Sequence, residues 1–186
     1  MKNFLLLTLV LFYSVAAQAQ VKYEQEKKVA ANEVPELSQA WLEQAFPAIK
    51  KAKWYKGVTA GKTSYVARFK SKGSRYSMSF SESGDIEDVE RKVSLDKMPE
   101  YQKAQLYLGF SRLKNFKLMT VYEQWTASTS SDLMKAVRED DPTKATLRYT
   151  VEFKADIDGK NTLWEGLFAP SGQLLRKREI ASSSNR

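Results

Sequence analysis

Residues 75–81 read Arg-Tyr-Ser-Met-Ser-Phe-Ser. Tyr76, Met78 and Phe80 fall on one side of an extended chain, and Arg75, Ser77, Ser79 and Ser81 on the other. This period of two predicts an antiparallel strand with one face in a core and the other in water. Upstream, Tyr65 to Phe69 predicts a partner strand, joined through a hairpin loop at Ser71-Lys72-Gly73. Downstream, Ser83-Gly84 turns the chain into a further strand at Ile86 to Val93. Trp54 and Tyr55 open a strand ahead of these, with Gly57 to Thr63 as its turn.

Helical spacing brackets this block. A first helix starts near Val34-Pro35, with proline in its first turn and an apolar stripe through Leu37, Trp41, Leu42, Ala45 and Phe46. Ala48 and Ile49 extend the pattern, and Pro47 ends the helix close by. A second helix starts near Asp96 as its N-cap, with Met98, Tyr101, Leu106, Phe110 and Leu113 as its stripe. Gly109 within it lowers helix propensity. A strand follows at Leu118 to Ala127. Residues 128–144 are polar and read as an extended loop, with at most one helical turn at Leu133 to Val137. Strands resume at Ala145 to Lys154 and Asn161 to Phe168 around Asp158-Gly159, a strong hairpin signal. The last strand is Gln173 to Ile180.

The halves share landmarks in one order. Pro35, Leu42 and Phe46 have the spacing of Pro99, Leu106 and Phe110. The strand Tyr65 to Phe69 matches Tyr149 to Phe153, and Phe80-x-x-Ser83-Gly84 matches Phe168-x-x-Ser171-Gly172. Three matches in sequence order predict an internal duplication. The fold class expected is α+β, a tandem repeat of one helix plus a four-stranded antiparallel sheet, each helix covering the apolar face of its sheet. The organisation is a signal peptide at 1–19, a flexible lead at 20–33, units at 34–94 and 95–181, and a disordered tail at 182–186. Core positions are Tyr65, Phe69, Tyr76, Met78 and Phe80 in the first unit, and Tyr149, Val151, Phe153, Trp164 and Phe168 in the second.

On these residues the chain resembles a known group. Val34-Pro35 opening a helix, Ala45-Phe46-Pro47 near its end, Trp54, the Tyr65-x-Ala67-x-Phe69 strand and Phe80-x-x-Ser83-Gly84-x-Ile86 look like the PepSY-like exported proteins. That group shares the BLIP-like fold, named for the β-lactamase inhibitory protein. The likeness runs from Glu33 to Ile180. It departs at the polar insertion 128–144 and at Ser111, which stands where a proline is expected. The resemblance implies a non-catalytic binding or inhibitory role in the envelope and carries over no functional residue.

The N-terminus sets the compartment. Lys2 precedes an apolar run from Phe4 to Val15, and Ala17-Gln18-Ala19 offers the small residues of a signal-peptidase site. The run is short for a membrane span, so cleavage after Ala19 and a periplasmic or secreted product are expected, with no transmembrane segment after signal removal. The chain has no cysteine, so packing rather than disulfides must hold it together. Nine Tyr, nine Phe and four Trp meet that demand. It also has no histidine, which removes every Ser-His-Asp, Cys-His and His-metal site.

The remaining motifs are weak. Gly57-x-x-x-Gly61-Lys62-Thr63 is one residue short of a phosphate loop and leads into a strand, so it is a turn. Glu139-Asp140-Asp141 and Asp156-x-Asp158 lack the alternating ligands of a calcium loop. No carboxylate pair stands out for glycoside hydrolysis, and Glu87, Asp88 and Glu90 read as charges on an edge strand. The expectation is therefore no enzyme activity and no cofactor.

The basic excess, net charge +8, has a layout. Strand alternation puts Arg68, Arg75 and Arg148 on faces turned away from the helices, near Ser77, Ser79 and Thr150. Arg176, Lys177 and Arg178 add charge on the last strand. If the sheets join, these make one broad positive surface that attracts a protein or an anionic envelope component, not nucleic acid. Arg68, Arg75, Arg148 and Arg176 are the candidate partner-binding residues. A scaffolding factor pairing through edge strands and a carboxylate-only hydrolase are the competing readings. Sequence leaves the oligomeric state open.

Overall fold

The computed structural model describes residues 26–59 and 61–180. The expected signal peptide and the tail at 182–186 lie outside the described residues. In chain order the elements are β1 (Lys27–Val29), α1 (Glu36–Ala45), β2 (Lys53–Thr59), β3 (Lys62–Ser71), β4 (Ser74–Ser81), β5 (Ile86–Val93), α2 (Glu100–Phe110), β6 (Lys114–Thr126), α3 (Ser130–Glu139), β7 (Thr146–Ile157), β8 (Lys160–Phe168) and β9 (Leu174–Glu179). The strands form a single antiparallel sheet in the order β1 to β9. Each pairs with its neighbour in sequence, through short turns except where α1, α2 and α3 intervene. At β3–β4 and β7–β8 both turn residues take positive φ, Lys72 at 48° with Gly73 at 76°, and Asp158 at 53° with Gly159 at 77°, the conformation that matches strand twist. The two halves join where β5 pairs with β6, from Val89↔Trp125 to Val93↔Val121.

The alternation read from sequence sets the layers. On one face Tyr65, Phe69, Met78 and Phe80 are buried, as are Tyr149, Val151, Phe153, Trp164 and Phe168 further along the sheet. All three α-helices of the described residues lie on this face. One core gathers Trp41, Leu42 and Phe46 of the α1 segment with Trp54, Phe80, Val89 and Trp125. The other gathers Leu106 and Phe110 of α2 with Val121, Phe153 and Phe168. Phe110 stands edge-on to Phe168, with ring centroids 5.3 Å apart.

Several expectations need correction. The lead is partly ordered: β1 and a 3-10 turn at Ala31–Glu33 fall within it, because β1 completes the sheet edge through Val29↔Trp54. The strand opened by Trp54 runs on through Gly57 to Thr59, and the next strand begins at Lys62. Asp96 is not the cap of α2 but sits in a 3-10 turn, Leu95–Lys97, and the helix begins only after Pro99. Leu37 is 51% exposed rather than core. The first turn of α1 lies so close to the turn at Gly84 that Ser38 takes the inner position, its hydroxyl donating to the Gly84 carbonyl at 3.3 Å. Tyr101 is likewise 71% exposed, because Gly109 and Gly172 meet and fix the rotation of α2.

The largest correction is α3. Residues expected as a loop form a ten-residue helix. Thr129 caps it, the Oγ1 accepting from the Asp132 amide at 3.1 Å, and Asp140 ends it in the left-handed region. Leu133 and Ala136 of this helix are buried, with Met134 and Val137 partly buried beside them, so an apolar stripe at helical spacing is present but spans little more than one turn of a polar stretch. They pack on the first core, and the Trp41 indole donates to Ser130 Oγ at 2.8 Å. Thr129→Ala should therefore cost about 1 kcal/mol, read as a lower urea midpoint, while Thr129→Asp should keep most of it.

Candidate functional site on the open sheet face

The face opposite the helices is mostly polar, with Val66 and Leu167 among its few aliphatic residues. Cross-strand partners trace a row through Lys53, Arg68, Ser77, Glu90, Gln124 and Arg148. A second row passes through Tyr122, Thr150, Leu167 and Arg176. Arg68, Arg75 and Arg148 thus share one face, as the alternation predicts, and Arg176 of the last strand joins them. Lys177 does not. It pairs with Gly166 on the helix side, and its ammonium lies 5.6 Å from the Trp164 ring.

The face is concave. One groove, of about 260 Å³, is lined together by Gly57 of β2, Ser79 and Asp88 of the middle strands, and Arg176 and Arg178 of β9. Strands two and nine can wall the same groove only if the sheet curls and lifts its edges. A larger groove of about 980 Å³ opens beside it, lined by Tyr55, Arg68, Lys70, Arg75 and Tyr122. Lys50 and Lys51, from the segment after α1, close its rim.

This surface is a mosaic rather than uniformly positive. Arg68 is held by Glu26, Nη2 to Oε1 at 2.9 Å, and its guanidinium lies 4.6 Å from the Tyr55 ring. Arg178 donates to Glu165 at 2.7 Å. Lys50, Lys51, Lys53, Lys70 and Arg75 make the larger groove basic at one end. Glu87, Asp88, Glu90 and Glu165 line the smaller groove. Tyr122 between them has its phenol pushed upward, first by burial and then by Glu152 and Glu90, against a counter-pull from Arg68 and Arg75.

Asp88 stands apart. Its strand lies in the middle of the sheet, not at an edge as expected. Ser79 donates a hydrogen bond to its carboxyl, yet Oδ1 has no partner and no solvent. Burial, followed by the charge of Glu90, raises its pKa from 3.8 to about 8, so the group is neutral at pH 7. The acidic motifs at the turns are already engaged. Asp140 pairs with Arg91, Glu139 with Lys144, and Asp158 with Lys177, while Asp156 accepts from Asn115 and Asn161.

Sequence reasoning found Arg68, Arg75 and Arg148 on this face by parity. It missed Lys50, Lys51 and Tyr55, which reach the site only through curvature and a loop. The alternation of Lys53 and Tyr55 along their strand was the available signal for the second of these segments.

Comparison with known proteins places the fold. No protein-family model matches the sequence, and a search of curated proteins finds no match. Solved structures do match. A DUF2874 family protein from Bacteroides ovatus aligns over 82% of this chain and 94% of its own, at 16% identity and a TM-score of 0.53. A protein from Bacteroides eggerthii, provisionally assigned to the periplasm, aligns over 82% and 93% at 16% identity and a TM-score of 0.55. A BLIP-like protein from Bacteroides fragilis aligns over 82% and 91% at 13% identity and a TM-score of 0.52. The chain shares the fold of these proteins, and the BLIP-like part of the resemblance holds. None of the described helices is long and apolar enough to cross a membrane.

Proposed function

We propose that this chain is an exported, non-catalytic binding module of the bacterial envelope, working in the periplasm or beyond it, whose concave sheet face grips a protein partner. One observation carries the reading. The sheet buries one face under three helices and leaves the other open as two confluent grooves lined by charged and aromatic side chains. Grooves of this kind suit a protruding loop, with Tyr55 and Tyr122 offering apolar surface and the flanking lysines and arginines steering an acidic segment. The element order, one helix followed by four strands in each half, with β1 ahead of the first helix and α3 inserted in the second half, supports descent by duplication. It also supports kinship with the PepSY-like group.

The test is partner capture from a native envelope extract by immobilised protein. Arg68→Glu, Arg75→Glu and Arg148→Glu combined should lower capture by about tenfold or more, with the fold checked by circular dichroism. Undiminished capture retires this face as the site. Size exclusion with light scattering separates the scaffolding reading, which requires a stable homo-oligomer through the edge strands.

A further inference from the structure

We propose that the smaller groove is a socket for an arginine side chain presented by the protein partner, with Asp88 at its floor. This rests on the concave face being the binding face. Four observations carry it. The carboxyl of Asp88 lines the groove, yet Oδ1 has no hydrogen-bond partner. An orphaned buried acceptor is costly, and native proteins leave few of them. The groups crowding this carboxyl are acidic, with Glu87 and Glu90 on its own strand and Glu165 on β8. Of the arginines lining this groove, Arg178 is committed to Glu165 and Arg68 to Glu26. Arg176 lines the outer wall from β9.

The chemistry favours an organic cation. Among the described residues no group of three acidic side chains converges to hold a metal ion. A guanidinium is planar, spreads its donors in a fork and tolerates desolvation, so it can satisfy Asp88 once the side chain turns its enclosed Oδ1 into the groove, and can reach the hydroxyls of Ser77, Ser79 or Thr150 along the same walls. The small groove opens into the larger one, and both are lined by Arg68, Ser77, Glu90, Thr150 and Glu165. A partner loop lying along both would set acidic residues toward Lys50, Lys51 and Lys70 and an arginine over Asp88. The socket thus adds a charge order to the recognition.

A pH dependence follows. Asp88 is neutral below about pH 8, and a guanidinium binds its ionised form more tightly. Binding must then expel a proton, and affinity should rise toward a plateau above pH 8, by at most about tenfold per unit.

The probe is N-acetylarginine methylamide, titrated into the whole protein at pH 6.5 and 8.5 and followed by amide NMR shifts. Its uncharged isostere, N-acetylcitrulline methylamide, is the control. Shifts at Ser77, Ser79 and Asp88 that appear with arginine only and strengthen at the higher pH support the socket. Their loss in Asp88→Asn, whose neutral amide resembles the protonated acid and should fold, supports it further. Equal response to citrulline, no response at either pH, or unchanged binding by Asp88→Asn overturns it. Tighter binding of spermidine than of the arginine probe overturns it in favour of a polyamine. Should Asp88→Asn fail to fold, the pH dependence of the wild-type protein decides alone. Any of these failures leaves the envelope-capture result on the arginine variant intact, so the socket and the binding face stand or fall separately.

Discussion

Gly172→Ala is expected to destabilise the protein by about 2–5 kcal/mol, seen as a large fall in the urea midpoint. Two independent costs combine. Gly172 has a φ of +77°, a region in which a side chain costs about 1–2 kcal/mol. A Cβ there would also overlap the backbone carbonyl of Gln105 in α2, and a helix backbone cannot step aside as a flexible side chain can. Overpacking of this kind adds about 1–3 kcal/mol. Gly109→Ala should be destabilising for the reciprocal reason, since its Cβ would strike the carbonyl of Gly172. Because the two glycines touch, the double variant should cost less than the sum of the singles. Gly84→Ala meets a gentler obstacle, the side chains of Pro35 at 2.8 Å and Ser38 at 3.1 Å, and should cost less than Gly172→Ala. A loss below about 1 kcal/mol for Gly172→Ala would mean that α2 does not seat on this turn.

The same glycines show where the sequence was legible. Ser83-Gly84 reads correctly as a turn, because glycine and small polar residues break an alternating pattern, and Ser171-Gly172 is matched to it as a landmark of the second half. What each glycine touches was not legible. Gly109 looked like a mere weakness in a helix, whereas it and Gly172 let a helix and a turn approach backbone to backbone. Strand faces were legible wherever hydrophobic and polar residues alternate cleanly, as at Met78 and Phe80 or Val151 and Phe153. Helix α3 is legible only as a single turn at Leu133 to Val137, because its apolar residues cluster there and the polar turns on either side are held by the Thr129 cap and by contact with Trp41. The site divides along the same line. Parity alone puts Arg68, Arg75 and Arg148 on one face. The pairing of Arg68 with Glu26, and the walling of one groove by β2 and β9, depend on curvature, which no local pattern encodes. Asp88 was misplaced for a related reason. A strand rich in charge reads as an edge, yet β5 is central because its charges face the open groove or pair inside.

That internal pairing gives the other large expected effect. Arg91 and Glu123 face each other across β5 and β6 on the helix-covered side. The guanidinium donates to Glu123 Oε2 through Nε at 3.0 Å and Nη2 at 2.6 Å, and to Asp140 Oδ1 through Nη1 at 2.6 Å. It lies 5.2 Å from the Trp125 ring. Burial works against its charge, but the hydrogen bond to Glu123 and the charges of Glu123 and Asp140 outweigh it and hold its pKa above the ordinary value. Arg91→Ala should cost about 3 kcal/mol, the low end for breaking a buried pair, because the Arg91 side chain keeps 24% of its surface exposed against 13% for Glu123. The loss comes chiefly from leaving Glu123 uncompensated under the helices. Replacing both partners, Arg91→Met with Glu123→Leu, should therefore recover most of the stability. Asp140→Ala should cost under about 1 kcal/mol, because Asp140 is 57% exposed and solvent screens the pair. The double-mutant cycle separates two explanations. A coupling energy near that of a core pair means that Arg91 clamps Glu123 and positions the end of α3 where the two cores meet. Additive losses would mean that the guanidinium serves only as packing against Trp125.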